Sequence, residues 1–138
     1  MFLLPSSSGF HFTSKCRNVL FVLLGIAVLV LKPMYSGPYD EIVYAYAGNV
    51  SVSFAVYFLF TNLEFPQKYK GALAAICAFL VVELFEAFDG FGVMSNTYDP
   101  IDYLANGIGI ALALLLDVTL TGRQARRAKS QAPYPKAR

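Results

Sequence analysis

The strongest constraint on this chain is a series of four long apolar runs, each near the length of a membrane-crossing helix. The runs cover residues 18–32, 42–63, 71–88 and 101–120, and segments rich in Gly, Pro, Asp and Asn separate them. A helix needs ~20 apolar residues to cross the hydrocarbon core, where an open sheet cannot satisfy its backbone. We therefore predict an all-α, polytopic membrane protein, a bundle of four transmembrane helices.

Charge content and length agree with this prediction. Only 14% of the 138 residues are charged, whereas a soluble domain carries roughly 25%. The length leaves room for one bundle, so we expect a cytoplasmic tail at 1–17, the transmembrane domain at 18–120 and a basic cytoplasmic tail at 121–138. The first run also fits a signal peptide, but no small-residue cleavage site follows it, so we expect a retained span.

Positive charges are concentrated on one side of the predicted spans. With four crossings, ten of the eleven Lys and Arg residues fall on the same side, and Lys32 falls on the other. Cytoplasmic loops are enriched in Lys and Arg, so both termini are expected in the cytoplasm. Seven of the nine acidic residues lie at or near the outer ends of the spans. The charges therefore predict a multi-pass membrane protein with both termini and the loop between the second and third runs in the cytoplasm.

Small and polar residues form stripes along three of the predicted helices. Ala105, Gly109 and Ala113 make a ladder at every fourth position, which lets a neighbouring helix approach closely. Asp102 and Asn106 continue this face outward. The second helix carries a similar stripe: Asp40, Tyr44, Ala47, Ser51 and Ala55. We expect the stripes to face one another, and we place Asn49 and Ser53 on the opposite face of the second helix, as helix contacts only.

A cluster of polar side chains near the outer end is the candidate functional site. Its members are Asp40, Glu83, Glu86, Asp99, Asp102 and Asn106. Some of them have ordinary structural alternatives, since Asp40 and Asp99 can lie in headgroup water, Asp102 can stabilise a helix N-terminus and Asn106 can join two helices. Glu83 lies a helix turn or more inside the predicted span, where ionisable residues are rare and usually functional; the alternative for Glu83 is a structural hydrogen bond.

The acidic residues of this cluster carry an electrostatic expectation. Glu83, Glu86 and Asp102 are three carboxylates in a small region of low dielectric constant, with one lysine on that side. Full ionisation of all three would be costly. We expect at least one to hold a proton near neutral pH, or a cation or a partner's basic group to neutralise them. Glu83 is the expected proton holder.

Motifs for catalysis and for cofactors are absent from the sequence. The patterns GxxxxGK[ST], GxSxG and HExxH do not occur, and no nucleophile–base pair can be assigned. Cys16 and Cys77 have no Cys or His at metal-ligand spacing. We therefore assign no catalytic, cofactor-binding or metal-binding residue. The basic tail suits anionic lipid heads better than nucleic acid.

Three segments resemble the VanZ-like family of small multi-pass membrane proteins. They are YDEIVY at 39–44, ELFE at 83–86 and NTYDPIDYLANGIG at 96–109. Family members carry Asp-Lys-x-x-His, Glu-x-x-Gln and Arg-x-x-Asp-x-x-Asp-x-x-x-Asn-x-x-Gly. Six residues match: Asp40, Glu83, Asp99, Asp102, Asn106 and Gly109. The resemblance covers about residues 18–120. It implies a membrane bundle at the cell envelope, in the cytoplasmic (inner) membrane of a bacterium. The family is associated with glycopeptide tolerance and has no settled biochemical activity.

Four positions depart from the family pattern. Glu41 stands where the family tends to have Lys, Tyr44 where it has His, Glu86 where it has Gln and Asn96 where it has Arg. Each change removes a cation or adds an anion at the predicted outer face. An anionic ligand would meet few donors there, so the resemblance does not extend to an anion-binding role.

Three functional hypotheses follow from the sequence. The first is a non-enzymatic, VanZ-like membrane protein at the cell envelope, whose outward-facing cluster binds a partner, a lipid headgroup or a cation. The second is a small accessory subunit of a larger membrane complex. The third is a carrier of protons or cations, which four helices could form only as a thin structure unless they oligomerise. The expected partners are membrane lipids and a membrane protein or a second copy of the chain.

Overall fold

The computed structural model describes residues 14–88 and 99–131, and this part of the chain is helical with no strand. Four helices follow one another: α1 at Ser14–Leu31, α2 at Asp40–Phe60, α3 at Lys70–Ala87 and α4 at Pro100–Gln131. A short 3-10 helix at Lys32–Met34 follows α1. The prediction of an all-helical chain with four helices is confirmed.

The helix bounds differ from the predicted ones at both ends of the chain. α1 begins at Ser14, so the last residues of the predicted N-terminal tail are helical. α4 continues to Gln131, well past the predicted end at residue 120. The extension is rich in Ala, Arg, Gln and Lys, which favour helix even where apolar residues end. Residues 1–13, 89–98 and 132–138, with Asp89 and Asn96 among them, lie outside the described part of the chain.

Three of the described helices are long and apolar enough to cross a membrane. By length and composition they are Ser14–Met34, Asp40–Phe60 and Pro100–Arg126. The helix α3 is 18 residues long and carries three charged residues, Lys70, Glu83 and Glu86. A membrane span at α3 therefore stays a prediction.

Side-chain contacts show that consecutive helices run antiparallel. Asn18 near the start of α1 donates to Thr61, just after α2, over 2.9 Å. At the other end Lys32 Nζ donates to the carbonyl of Tyr44 in α2 over 3.0 Å. α1 therefore runs opposite to α2.

The remaining two helices continue this alternation. Tyr46 early in α2 donates to Asp99, just before α4, and Tyr57 donates to Asp117 further along both helices. α2 and α4 therefore run in the same direction. Gly71 at the start of α3 lies beside Tyr57 and Leu114, so α3 runs the opposite way.

Two names for the ends of the bundle follow from this arrangement. The end where α1 and α3 finish and α2 and α4 begin is called the acidic end, after Glu86, Asp99 and Asp102. The other is called the basic end, after Arg17 and Lys70. These two names refer only to the described residues.

The helix α2 is the centre of the bundle. It packs against α1, α3 and α4, and α3 packs against α4, whereas the backbone of α1 approaches only that of α2 among the described helices. Tyr57 and Phe58 of α2 are fully buried, together with Ala74 and Ala78 of α3 and Ala113 of α4. The deepest part of the core therefore lies among α2, α3 and α4.

Two glycines allow these close approaches. A Cβ atom added at Gly25 of α1 would lie 2.7 Å from the carbonyl oxygen of Ser51 and 2.8 Å from Cβ of Ala55. At Gly109 of α4 it would overlap Ser53 Oγ and the carbonyl oxygen of Val50. Ala105 and Ala113, the other members of the predicted small-residue ladder, are buried on either side of Gly109.

The expectation that Ser51 and Ala55 of α2 face the other polar stripes is wrong, whereas Ser53 makes a helix contact as expected. Ser51 and Ala55, which we expected to face the other polar stripes, pack against Gly25 of α1. Asn49 and Ser53, placed on the opposite face, are directed to the side where α4 packs. Residues two apart on a helix differ by about 200° in direction, and a central helix buries two faces. A polar stripe alone does not tell which neighbour it meets.

Candidate functional site

A cavity of about 490 Å³ lies in the half of the bundle toward the acidic end, and all four helices line it. α2 forms one side with a row of residues from Ala45 to Val56, which share a helical face. Leu29 of α1 and Lys32, which directly follows α1, line it on one flank, and α3 lines it on the other. Because α1 and α3 do not pack together, the cavity occupies the space between them.

The lining changes from polar to apolar along the cavity. The charged lining residues lie at the acidic end. Lys32 directly follows α1, Glu86 is the second-last residue of α3, and Asp102 lies in the first turn of α4. Toward the middle of the bundle the lining becomes apolar, with Val52 and Val56 of α2 and Val81 and Val82 of α3. The row from Ala45 to Val56 rises about 16 Å along the helix axis. The cavity is therefore amphipathic along its length.

Lys32 is held against α2 by three features. Its ammonium group donates to the carbonyl of Tyr44 over 3.0 Å and lies 5.3 Å from the centre of the Tyr44 ring. A Cβ atom added at Gly48 would lie 2.7 Å from Nζ, so the glycine leaves room for the lysine. The only cation that sequence analysis placed on this side therefore lines the cavity, at the flank formed by α1.

Two buried polar side chains of α4 line the cavity together with Glu86 of α3. Asp102 is 6% exposed and Asn106 is 4% exposed. They are one turn apart and share a face, and Asn49 of α2 lines the same cavity. The structure thus brings Glu86, Asp102 and Asn106 to one place, as the sequence patterns suggested.

Glu83 lies one turn below Glu86 on α3. Both of its carboxylate oxygens are buried. They face the Asn106 amide, but no hydrogen bond of ordinary geometry is made to them within the described part of the chain. A buried carboxyl group without donors is costly in the ionised form. This position therefore suits a neutral acid or an amide.

Asp40 and Asp99 lie apart from these residues. Asp40 is exposed in the first turn of α2, and its carboxylate accepts from the adjacent backbone N–H of Glu41. Asp99 accepts from the N–H of Ile101 over 2.9 Å, which is the position of a helix-capping residue. Asp99 also accepts from the Tyr46 hydroxyl over 3.0 Å. Asp99 therefore joins the start of α4 to α2, and neither acid lines the cavity.

A second polar cluster lies toward the basic end, and sequence analysis did not predict it. Arg17 of α1 forms an ion pair with Asp117 of α4, and Tyr57 of α2 donates to the same carboxylate over 3.1 Å. Next to it, Asn18 donates to the hydroxyl of Thr61 over 2.9 Å. An isolated Asp within the apolar run 101–120 was the available signal, because a carboxylate there requires a partner.

The arrangement at the acidic end can hold a molecule by non-covalent contacts. Among the described residues no three His, Cys, Asp or Glu side chains are placed to bind a metal ion. The cavity offers a lysine, two carboxylates and two amides at one end and aliphatic side chains at the other. Those groups are suited to a molecule with a charged head and an apolar tail.

Comparisons with protein-family models, with curated proteins and with solved structures found no match to this chain.

Proposed function

We propose that this chain is a non-enzymatic, VanZ-like integral membrane protein of the cell envelope that binds one lipid-like amphiphile in the cavity between α1 and α3. The observation that carries the proposal is the amphipathic lining of that cavity, charged at the acidic end and apolar toward the middle. A lipid has the same order of groups along its length. Binding of this kind requires non-covalent contacts and no catalytic residue.

The proposed orientation in the membrane follows from the charges. Lys15, Arg17, Lys68, Lys70, Arg123 and Arg126 belong to the basic end, which we place in the cytoplasm. The acidic end then faces outward, in the cytoplasmic membrane of a bacterium. The charged end of the cavity lies at headgroup depth of the outer leaflet, and its apolar end lies toward the bilayer centre. A lipid of that leaflet has this direction already.

The proposal includes α3 as a fourth span. Its 18 residues extend over about 27 Å, close to the thickness of the hydrocarbon core. Gly71 at its start lies level with Tyr57 and Leu114, and Glu86 near its end lines the cavity with Asp102. Lys70 and Glu86 thus lie at its two ends, where water and headgroups are near, and Glu83 lies one turn inside, where its carboxyl group is buried.

The test is to fill the cavity. Val52 is 38% exposed on the α2 side of the cavity, so Val52→Trp should occupy the apolar end without overpacking the core. Val118→Trp is the matched control, because Val118 is 60% exposed on α4 and does not line the cavity. Both variants are purified in mild detergent, and retained lipid is counted by native mass spectrometry.

The parent and Val118→Trp should each retain one lipid that survives detergent washing, and Val52→Trp should lose it. Equal retention by Val52→Trp and the control would show that the lipid binds elsewhere. A protein that co-purifies in fixed proportion while no lipid is retained would favour the accessory-subunit hypothesis instead.

A further inference from the structure

We infer that the amphiphile is a phospholipid with a zwitterionic headgroup that ends in a primary ammonium group. This inference rests on the proposed function and names the ligand class of the same cavity. It is drawn from the charges at the acidic end of the cavity and from the positions of those charges on different helices.

The cavity presents opposite charges on separate helices. Lys32 projects from the end of α1, whereas Glu86 and Asp102 belong to α3 and α4. Lys32 is engaged with the carbonyl and ring of Tyr44 and makes no ion pair within the described part of the chain. Because α1 does not pack against α3, a molecule between them can meet a cation on one flank and carboxylates on the other. A headgroup with both a phosphate and an ammonium matches this arrangement.

The phosphate is assigned to the flank of Lys32. The Lys32 ammonium group has three N–H donors. Its contacts with the carbonyl and the ring of Tyr44 leave donor capacity for a phosphate oxygen. A headgroup that carries only negative charge would place its phosphate in the same cavity as the carboxylates of Glu86 and Asp102 and would bring no ammonium group to them. A phosphate close to these carboxylates is repelled by them. We therefore expect purely anionic lipids to bind less well.

The terminal ammonium is assigned to Glu86 and Asp102. A primary ammonium donates three hydrogen bonds, and carboxylate and amide oxygens accept them. Asn49 and Asn106 line the same region and add amide oxygens. A quaternary ammonium carries the same charge but has no N–H to donate. A site with buried acceptors should therefore distinguish the primary from the quaternary headgroup.

The apolar part of the cavity accounts for the tail. Below the charged groups the cavity continues along α2 to Val56, with Val81 and Val82 of α3 on the other side. The row from Asn49 to Val56 rises about 10 Å along the helix axis, which accommodates part of one acyl chain. An amine with no tail would leave these aliphatic side chains without contacts.

The inference is tested by exchanging the lipid headgroup in the full-length protein. Phosphatidylethanolamine, phosphatidylcholine and phosphatidylglycerol with identical acyl chains are each added to delipidated protein, and bound lipid is measured by native mass spectrometry. We expect phosphatidylethanolamine to bind about tenfold more tightly than either of the others, the equivalent of one charge-assisted hydrogen bond.

Variants connect the preference to the assigned side chains. Glu86→Gln should reduce the preference for phosphatidylethanolamine over phosphatidylcholine to about twofold or less, because it removes the charge of the acceptor. Asp102→Asn is the second variant, in case Glu86→Gln does not fold. Glu41→Gln is the matched control, because Glu41 is an exposed acid at the same end that does not line the cavity. It should keep the parent's preference.

The outcomes separate this inference from the proposed function. Equal binding of the three headgroups, with lipid still lost in Val52→Trp, would overturn the headgroup assignment and leave the cavity as the binding site. Stronger binding of phosphatidylglycerol would overturn it too. Lipid retained by Val52→Trp would overturn the proposed function, whatever the headgroup preference.

Discussion

Arg17 and Asp117, one hundred residues apart in the chain, form an ion pair that connects α1 to α4 across the side of α2. Both side chains are largely buried, at 12% and 17% exposure. The pair is reinforced by Tyr57 of α2, which donates to the same carboxylate. Since the backbone of α1 approaches only α2, this pair is a direct connection between the first and last helices of the described chain.

The first prediction concerns this ion pair. Asp117→Leu should lower the free energy of unfolding by about 3 kcal/mol, because a buried guanidinium then lacks its counter-charge. Thermal unfolding in detergent measures the change. Thr121→Ala is the control, because it removes only an exposed hydrogen bond of 3.4 Å to the Asp117 carboxylate and leaves the ion pair in place. The double variant Arg17→Met with Asp117→Leu should regain most of the loss. Equal destabilisation by the single and double variants would contradict the ion-pair explanation.

The second prediction compares two glycines of α4. Gly109→Ala should destabilise the protein by about 1–3 kcal/mol, because the added methyl group meets the backbone carbonyl of Val50. Gly122→Ala should be neutral or stabilising by up to about 1 kcal/mol, since nothing lies within 4 Å and alanine favours helix. Unfolding in detergent is again the measurement. Similar effects at both positions would show that helix propensity, not close packing, decides them.

The third prediction concerns Glu83. Both of its oxygens are buried and accept no hydrogen bond of ordinary geometry from the described residues, so Glu83→Gln should preserve folding and expression. Glu83→Lys should disrupt folding, because a longer cation would be buried in the same place. Infrared spectroscopy of the carboxyl band in membranes, with Glu83→Gln as reference, reports the protonation state. A Glu83 carboxylate that is fully ionised at neutral pH, with no bound cation or partner, would contradict the interpretation.

The fourth prediction concerns topology. In a variant with Cys16 and Cys77 replaced by Ser, Ser36→Cys should be labelled by an impermeant maleimide added to intact cells. Gln67→Cys should be labelled only after the membrane is opened, because the loop between α2 and α3 lies at the basic end. Ser95→Cys, outside the described residues, should behave like Ser36→Cys if α3 crosses the membrane. Labelling of positions 67 and 95 from the same side would show that α3 does not cross.

The existence of the helices could be predicted from the sequence, whereas their neighbours could not. Apolar runs near 20 residues long predict helices because lipid and protein interiors both require internal backbone hydrogen bonding. Gly109 belongs to a small-residue ladder, a pattern typical of close helix contact, and it does lie against α2. Hydropathy does not show where helix formation ends in a polar segment, so the continuation of α4 to Gln131 was missed.

The composition of the site was predictable only in part. Glu86, Asp102 and Asn106 line one cavity, in agreement with their depth along the predicted spans. Asn49 was assigned to a plain helix contact, and Lys32 was treated as a flanking charge. Their positions depend on α1 and α4 lying on different sides of α2, which is a property of the tertiary packing. The same packing brings together Arg17 of α1 and Asp117 of α4, which belong to the first and last described helices.

The peripheral position of α1 has a consequence for assembly. The fully buried residues of the described chain belong to α2, α3 and α4, and α1 contributes partly buried residues such as Phe21 to their edge. During synthesis α1 is made first, yet its principal packing partner follows it and its ionic partner Asp117 is made almost last. The contact between α1 and α2 can therefore form before α3 and α4 are made, whereas the Arg17 guanidinium stays without its counter-charge until α4 joins the bundle.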